Sequence, residues 1–180
     1  MINSARSALV AMATAGTLIA CGAVLAQAYP VKPVRIVVPF PPGGNSDLTA
    51  RLLGQKLDES WGQRFIIENR PGANTIIGAD VVAHAPPDGY TLMLTLAETL
   101  TMNQYLYKKL PYDPLKDLSP ITMVGRSTTV VAVDAKTGPK TLRELVDRAR
   151  ANPGKLSFGA ATQTSQLAGE MLKILAGIDL

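Results

Sequence analysis

The sequence predicts an α/β fold with parallel strand pairings. Two observations carry this: from Val34 onward short β-branched runs alternate with stretches whose apolar residues recur at helical spacing, and glycine or proline marks most joins. Val34-Arg35-Ile36-Val37-Val38, closed by Pro39, reads as a buried strand. Leu48, Leu52, Leu53, Leu57 and Trp61 then fall at helical spacing up to Gly62, predicting a helix over about Ser46–Ser60. Arg64–Glu68 reads as a second strand, and Thr75–His84 as a helix stopped by Pro86-Pro87. Asp88-Gly89 turns the chain into a strand over Tyr90–Thr95, and a further helix is expected over Glu98–Tyr107. Leu110–Pro120, with three prolines, reads as an ordered connector. Thr128–Asp134 is expected to be a strand. Thr141–Ala151 is expected to be a helix opened by a Thr141-x-x-Glu144 capping box. Leu156–Gly159 is the next expected strand, and Ser165–Ala176 a last helix with Leu167, Met171, Leu172 and Leu175 on one face.

Residues 1–28 differ in kind from the rest. They carry one charge, Arg6, then a mostly apolar run from Ala8 to Leu25, and end in Ala26-Gln27-Ala28. A basic start, an apolar stretch and a small-x-small tripeptide make a secretory signal peptide. A membrane anchor is the competing reading, but the alanines, threonines and glycines make a weak bilayer span. Leu18-Ile19-Ala20-Cys21 also resembles a lipobox, which would anchor the protein through lipidated Cys21. The residues after Cys21 stay apolar where a lipoprotein turns polar, which favours cleavage after Ala28. Cleavage there removes the only cysteine, and with it disulfides and thiol chemistry. It also removes one positive charge and no negative one, taking the net charge from +4 to +3. With no clustered Lys/Arg run, nucleic-acid binding is not expected.

Two segments carry candidate binding chemistry. The first is Pro39-Phe40-Pro41-Pro42-Gly43-Gly44-Asn45-Ser46-Asp47, between the first strand and its helix. Prolines stiffen the strand exit, and glycines allow another molecule to approach the backbone closely. Asn45 or Ser46 is the expected helix cap, leaving first-turn N–H groups at the open edge of the sheet. Such groups suit a carboxylate or phosphate. A plain strand-to-helix turn, with Asp47 complementing the helix dipole, explains the same residues. The second segment, Ala160 to Gln166, again joins a strand to a helix, with Thr164 or Ser165 as expected cap. Its hydroxyls and amides suit a ligand carboxylate, and simple capping is the competing account.

Other chemistries find less support. The first turn has neither G-x-x-x-x-G-K-[ST] nor G-x-G-x-x-G, although Glu68 ends the second strand where a dinucleotide-binding protein places its ribose acid. The only histidine, His84, sits at a helix end before two prolines, away from the expected site, so no catalytic residue is assigned. No His/Cys/carboxylate group has metal spacing, and no cofactor is called for.

At these residues the sequence resembles the Bug family, the extracytoplasmic receptors of tripartite tricarboxylate transporters. The matching segments begin with Tyr29-Pro30 through Pro33, Arg35 to Phe40, and Pro42-Gly43-Gly44 with Asp47 and Ala50-Arg51. They continue through Glu68 to Ala73 with Gly78, and Pro87 to Leu92. Leu110 to Pro114, Lys116-Asp117-Leu118 and Asn152 to Leu156 complete the set. The resemblance implies a two-lobed periplasmic binding protein fold (type II) that closes on its ligand by a hinge. The first lobe would run over 29–127 and the second would begin at 128–180, truncated before it is complete; family members are nearly twice as long. Apolar faces meant for the missing part would then be exposed, predicting poor solubility of the 180 residues alone.

The resemblance also implies a site. The first lobe would present Phe40, Gly43, Gly44, Asn45, Ser46 and Asp47 together with Thr95 and Ala97, and the second Ala161, Thr162, Thr164 and Ser165. Relatives bind di- and tricarboxylates, acidic amino acids or aromatic acids, largely through backbone amides and bridging water. Leu167-Ala168-Gly169-Glu170 is retained, but Thr162 and Thr164 replace glycines and Gln166 a histidine, so ligand identity does not carry over. Glu98 places a negative charge near a site expected to hold an anion. It either points away or meets a cationic group on the ligand. The implied function is a non-catalytic periplasmic receptor that captures a small organic carboxylate or amino acid and delivers it to membrane permease subunits. The alternatives are an exported ligand sensor of the same fold feeding a signalling partner, and a nucleotide-dependent α/β enzyme.

Overall fold

The computed structural model describes residues 29–180. The expected signal peptide, Cys21 and the expected cleavage position at Ala28 fall outside the described residues. Three parallel strands form one sheet: β1 (Val34–Val38), β2 (Phe65–Asn69) and β3 (Thr91–Met93), in the order β2-β1-β3. In register, Ile36 stands beside Ile67 on one side and Leu92 on the other. β1 is therefore the central strand, which explains its almost unbroken apolar sequence: a parallel strand covered on both faces has no solvent side. Val34, Val37 and Val38 are fully buried. Arg35 is the exception, and its guanidinium reaches Glu68 on the neighbouring strand at 3.3 Å.

Helix α1 (Asn45–Trp61) joins β1 to β2 and is closed by Gly62 in the left-handed conformation. Val34, Ile36, Val38 and Phe65 pack with Ala50 of α1 in one core cluster, flanked by Leu57 and Ile67. Only part of the predicted leucine row, Leu53 and Leu57, is turned toward the sheet. Leu48 and Leu52 are about 60% exposed, and the buried residues are Asp47, Ala50 and Gly54. The reason is proximity: a methyl at Gly54 would lie 3.1 Å from Ile67 Cδ1, so small residues let the helix lie directly on the sheet. Helix α2 (Ile76–Ala83) follows β2 and packs as closely, since a methyl at Gly78 would come within 2.6 Å of Pro39 Cβ.

The expected helix over Glu98–Tyr107 is two single turns, α3 (Glu98–Thr101) and α4 (Asn103–Leu106). Buried side chains of Thr99 and Asn103 bond to Asn74, Thr75 and Tyr112, and Tyr112 donates to the Thr99 carbonyl, which fixes these turns from outside. The connector after them is ordered by local bonds, Asp113 accepting from Leu115 N and Asp117 from Asp113 N. The expected strands at Thr128–Asp134 and Leu156–Gly159 are absent. Strand is a paired state, and no described segment supplies ladder hydrogen bonds to either. β-propensity without a neighbour leaves an exposed irregular chain, and Val130 is 76% exposed.

Helices α5 (Leu142–Ala151) and α6 (Gln163–Ala176) form as predicted, one and two residues adrift at their starts. At α5, Thr141 Oγ1 accepts from Glu144 N. Glu144 returns its carboxylate to Lys140 N rather than Thr141 N, so the expected capping box is half made. The reciprocal box occurs instead at α6, between Thr162 and Ser165. The apolar row of α6 is largely uncovered, Leu175 being 80% exposed.

Candidate functional site

β1 and β3 are parallel neighbours, so the segments leaving their C-terminal ends share one edge of the sheet. One is the turn into α1, the other the loop Thr95 to Ala97 before α3. The α1 turn departs from expectation in its cap. Gly44, in extended conformation, holds the cap position and no side chain caps the helix; neither Asn45 nor Ser46 serves. The structure uses Asp47 instead. Its Oδ2 accepts from Gly43 N at 2.9 Å, where Gly43 has φ +84°, and from Arg51 Nε at 2.9 Å. Asp47 is 2% exposed. The Arg51 hydrogen bond, followed by that from Gly43, lowers its pKa from 3.8 to about 2.

Asp47 thus locks the shape of the turn and leaves the backbone donors beyond it unspent. The first intrahelical bond runs from Leu48 N to Gly44 O at 3.0 Å, and the N–H groups of Asn45, Ser46 and Asp47 precede it with no acceptor in the described chain. Asn45 is exposed and Ser46 half-buried. Phe40 packs against the core, and its carbonyl accepts from Asn69 Nδ2 at 3.1 Å, anchoring the base of the turn.

At the β3 edge, Thr95 Oγ1 lies 2.6 Å from Thr99 Oγ1, which donates to Thr75 Oγ1 at 2.8 Å. This hydroxyl chain ends in a strained turn: Ala73, Asn74 and Thr75 all have positive φ, at 46°, 50° and 75°. A β-branched residue in that region is an outlier that persists only where surroundings enforce it, and such residues cluster at functional sites. Asn103, fully buried, donates to Asn74 O at 3.1 Å, while its Oδ1 has no partner. Ala97 is exposed before α3. Sequence reasoning missed Thr75, Thr99 and Asn103; the only local signal was the Gly72-Ala73-Asn74 run after Pro71.

The second segment reaches the same edge through Glu98. Its Oε2 accepts from Thr164 N at 3.0 Å and Thr164 Oγ1 at 2.7 Å, across 66 residues of sequence. Thr162, not Thr164 or Ser165, caps α6, with Ser165 N donating to Thr162 Oγ1 at 3.2 Å. Two residues further in, Thr164 is free to offer both its donors to Glu98. Ala161 lies exposed just before the cap. Hollows against α5 contain none of the predicted ligand residues. One, of about 150 Å³, is lined by Val131, Val133, Pro139, Lys140, Leu142 and Leu145.

The acid proposed for a ribose is engaged elsewhere: Glu68 pairs with Arg35 at 3.3 Å and Arg70 at 2.5 Å. His84 caps the C-terminus of α2, exposed and beside Asp80 at 3.0 Å. Among the described residues no group of three or more His, Cys, Asp or Glu could hold a metal. Nor is any described helix long and apolar enough to cross a membrane.

Residues 49–180 match the Tripartite tricarboxylate transporter family receptor; the turn before Thr49 lies outside the matched stretch. BugT of Bordetella pertussis is 37% identical over 169 residues, covering 92% of this chain and 51% of BugT. Among solved structures, Rpa4515 of R. palustris with adipate superposes with TM-score 0.79 at 32% identity over 84% of this chain and 52% of that one. MatC from Rhodopseudomonas palustris with bound malate gives 0.65 at 32% identity, with the same coverage. The chain spans about half the length of the relatives it matches. Its fold is that of part of a periplasmic binding protein, and the chain belongs to the tripartite tricarboxylate transporter receptor family.

Proposed function

We propose that this chain is the ligand-capturing portion of a periplasmic receptor that binds a small organic carboxylate for a tripartite tricarboxylate-type transporter. The observation that carries it is the α1 turn. Three unspent N–H donors lie at the positive end of a 17-residue helix, at the sheet edge where α/β folds take ligands. Such a turn holds an anion without a reactive side chain, as a receptor requires. The structures of two relatives, with adipate and with malate, support a carboxylate as the class. In this reading Gly43 to Asp47, Thr95 and Ala97 contact the ligand from the first lobe, over 29–127. Ala161, Thr162, Thr164 and Ser165 line the site from the second, which begins at 128. A signal peptide over 1–28 delivers the protein to the periplasm, where the permease subunits recognise the ligand-bound form.

The test is calorimetry of the complete gene product with hexanoate, adipate and malate, beside mass spectrometry of any small molecule that co-purifies. The reading expects a carboxylate to bind and to raise the melting temperature. Stabilisation by NAD, with none by any carboxylate, overturns it. Gly44→Leu then probes the turn. A methyl at Gly44 meets only Pro41 O, at 3.7 Å, so the fold tolerates a side chain there. Loss of affinity with unchanged melting temperature is the expected result, and unchanged affinity removes the turn from the site.

A further inference from the structure

The two helix starts at this edge differ in a way that bears on ligand charge. The first-turn donors of α1 are unspent. Those of α6 are taken beyond Gln163 N: Ser165 N by Thr162 Oγ1, and Thr164 N and Oγ1 by the carboxylate of Glu98. Glu98 is 5% exposed and enters none of the ion pairs among the described residues. A carboxylate buried without a cation is costly unless strong donors meet it. Here one oxygen receives a backbone N–H and a hydroxyl at the positive end of a 14-residue helix. The other oxygen, Oε1, takes no donor from the described chain. Glu98 therefore does to α6 what a bound carboxylate would do, from within the same polypeptide, and leaves a negatively charged acceptor unspent.

We infer that Glu98 is a specificity-determining residue that occupies the anion seat at the start of α6, so that the site accepts a monocarboxylate whose far end is neutral or cationic and rejects a dicarboxylate. The inference rests on the carboxylate reading above and adds the charge of the second end. One carboxylate of the ligand sits on the unspent α1 donors. A second, directed toward α6, meets a seat already filled by a like charge, which disfavours it by a repulsive element rather than by a missing contact. An ammonium or hydroxyl at that end finds Oε1 as its acceptor. Glu98 and Thr164 thus pin the second segment to the β3 edge and set which ligand that edge admits.

Three acids of equal chain length separate the possibilities: adipate with two carboxylates, hexanoate with an apolar end, and 6-aminohexanoate with an ammonium. Calorimetry of the complete gene product at neutral pH is expected to show hexanoate and 6-aminohexanoate binding more tightly than adipate. In Glu98→Gln, which keeps an acceptor for Thr164 but removes the charge, adipate should gain about tenfold and 6-aminohexanoate should weaken. Glu98→Asp, which keeps the charge, should preserve the wild-type order. A variant that merely folds badly weakens all three together, so opposite movement of adipate and 6-aminohexanoate is the diagnostic result. Adipate as the tightest wild-type ligand, or an adipate-to-6-aminohexanoate ratio unmoved by Glu98→Gln, overturns the inference and leaves the carboxylate reading standing. Failure of all three acids and of malate to bind the wild type and both variants overturns the two together.

Discussion

Asp47 has the clearest single-residue consequence. Its carboxyl ionises at about 2 because Arg51 and the Gly43 N–H hold the charged form. A depressed folded-state pKa contributes stability that is complete above the unfolded value of 3.8 and is lost as pH falls toward about 2. Asp47→Asn should therefore melt below the wild type at neutral pH, and the gap should close between about pH 4 and pH 2; a pH series of melting curves measures it. A constant gap across that range would assign the loss to the altered turn rather than to the charge. The importance of this residue was half legible. An acid in the first turn of a helix is a familiar dipole partner, but its burial and its grip on Gly43 come from the proline-stiffened approach to the helix, which periodicity does not encode.

At the scale of elements, the seating of helices on the sheet is governed by small residues. Gly78→Ala would place a methyl 2.6 Å from Pro39 Cβ, against a strand end that cannot yield, and should cost about 1–3 kcal/mol in chemical denaturation. Ile36→Ala, in the central strand, should cost about 2–5 kcal/mol by the same measurement. The three strands and α1 were legible because each advertises itself locally, through a β-branched run or an apolar period closed by glycine. The elements that failed depend on distant partners. Val130 and Val131 have strand composition but no neighbour to pair with, and α3 and α4 are cut apart by bonds from Thr75 and Tyr112. The Glu98–Thr164 contact spans 66 residues and left no trace in any window of sequence, although the position of Glu98 beside an expected anion site was noticeable.

For the whole molecule, burial is uneven. Core valines of β1 are fully enclosed, whereas Ile121, Val130, Ile174 and Leu175 are each more than three-quarters exposed. Exposed apolar surface of this extent drives association. The 180 residues expressed alone should therefore aggregate at moderate concentration, and the double substitution Val130→Lys, Val131→Lys should raise the monomer fraction in light scattering without changing the melting temperature. No change in association would place the sticky surface elsewhere, with α6 next. Amide exchange should follow the same division, slow over Val34–Val38 and fast over 121–134, where no ladder protects the backbone.

Tyr112 belongs to the irregular stretch after α4, yet its hydroxyl is planted beneath the β3 edge, donating to Thr99 O at 2.8 Å and receiving Asn103 Nδ2 at 3.3 Å. One phenolic oxygen is thus a crossbar between a backbone run with no ladder of its own and the rim where a solute would rest. Sawing it through with Tyr112→Phe strands the Thr99 carbonyl at a cost of about 1–3 kcal/mol, while Asn103 Nδ2 keeps Asn74 O. The slack would be felt first at Glu98, whose helical turn that crossbar props from below, and at Thr95, bonded to the same Thr99.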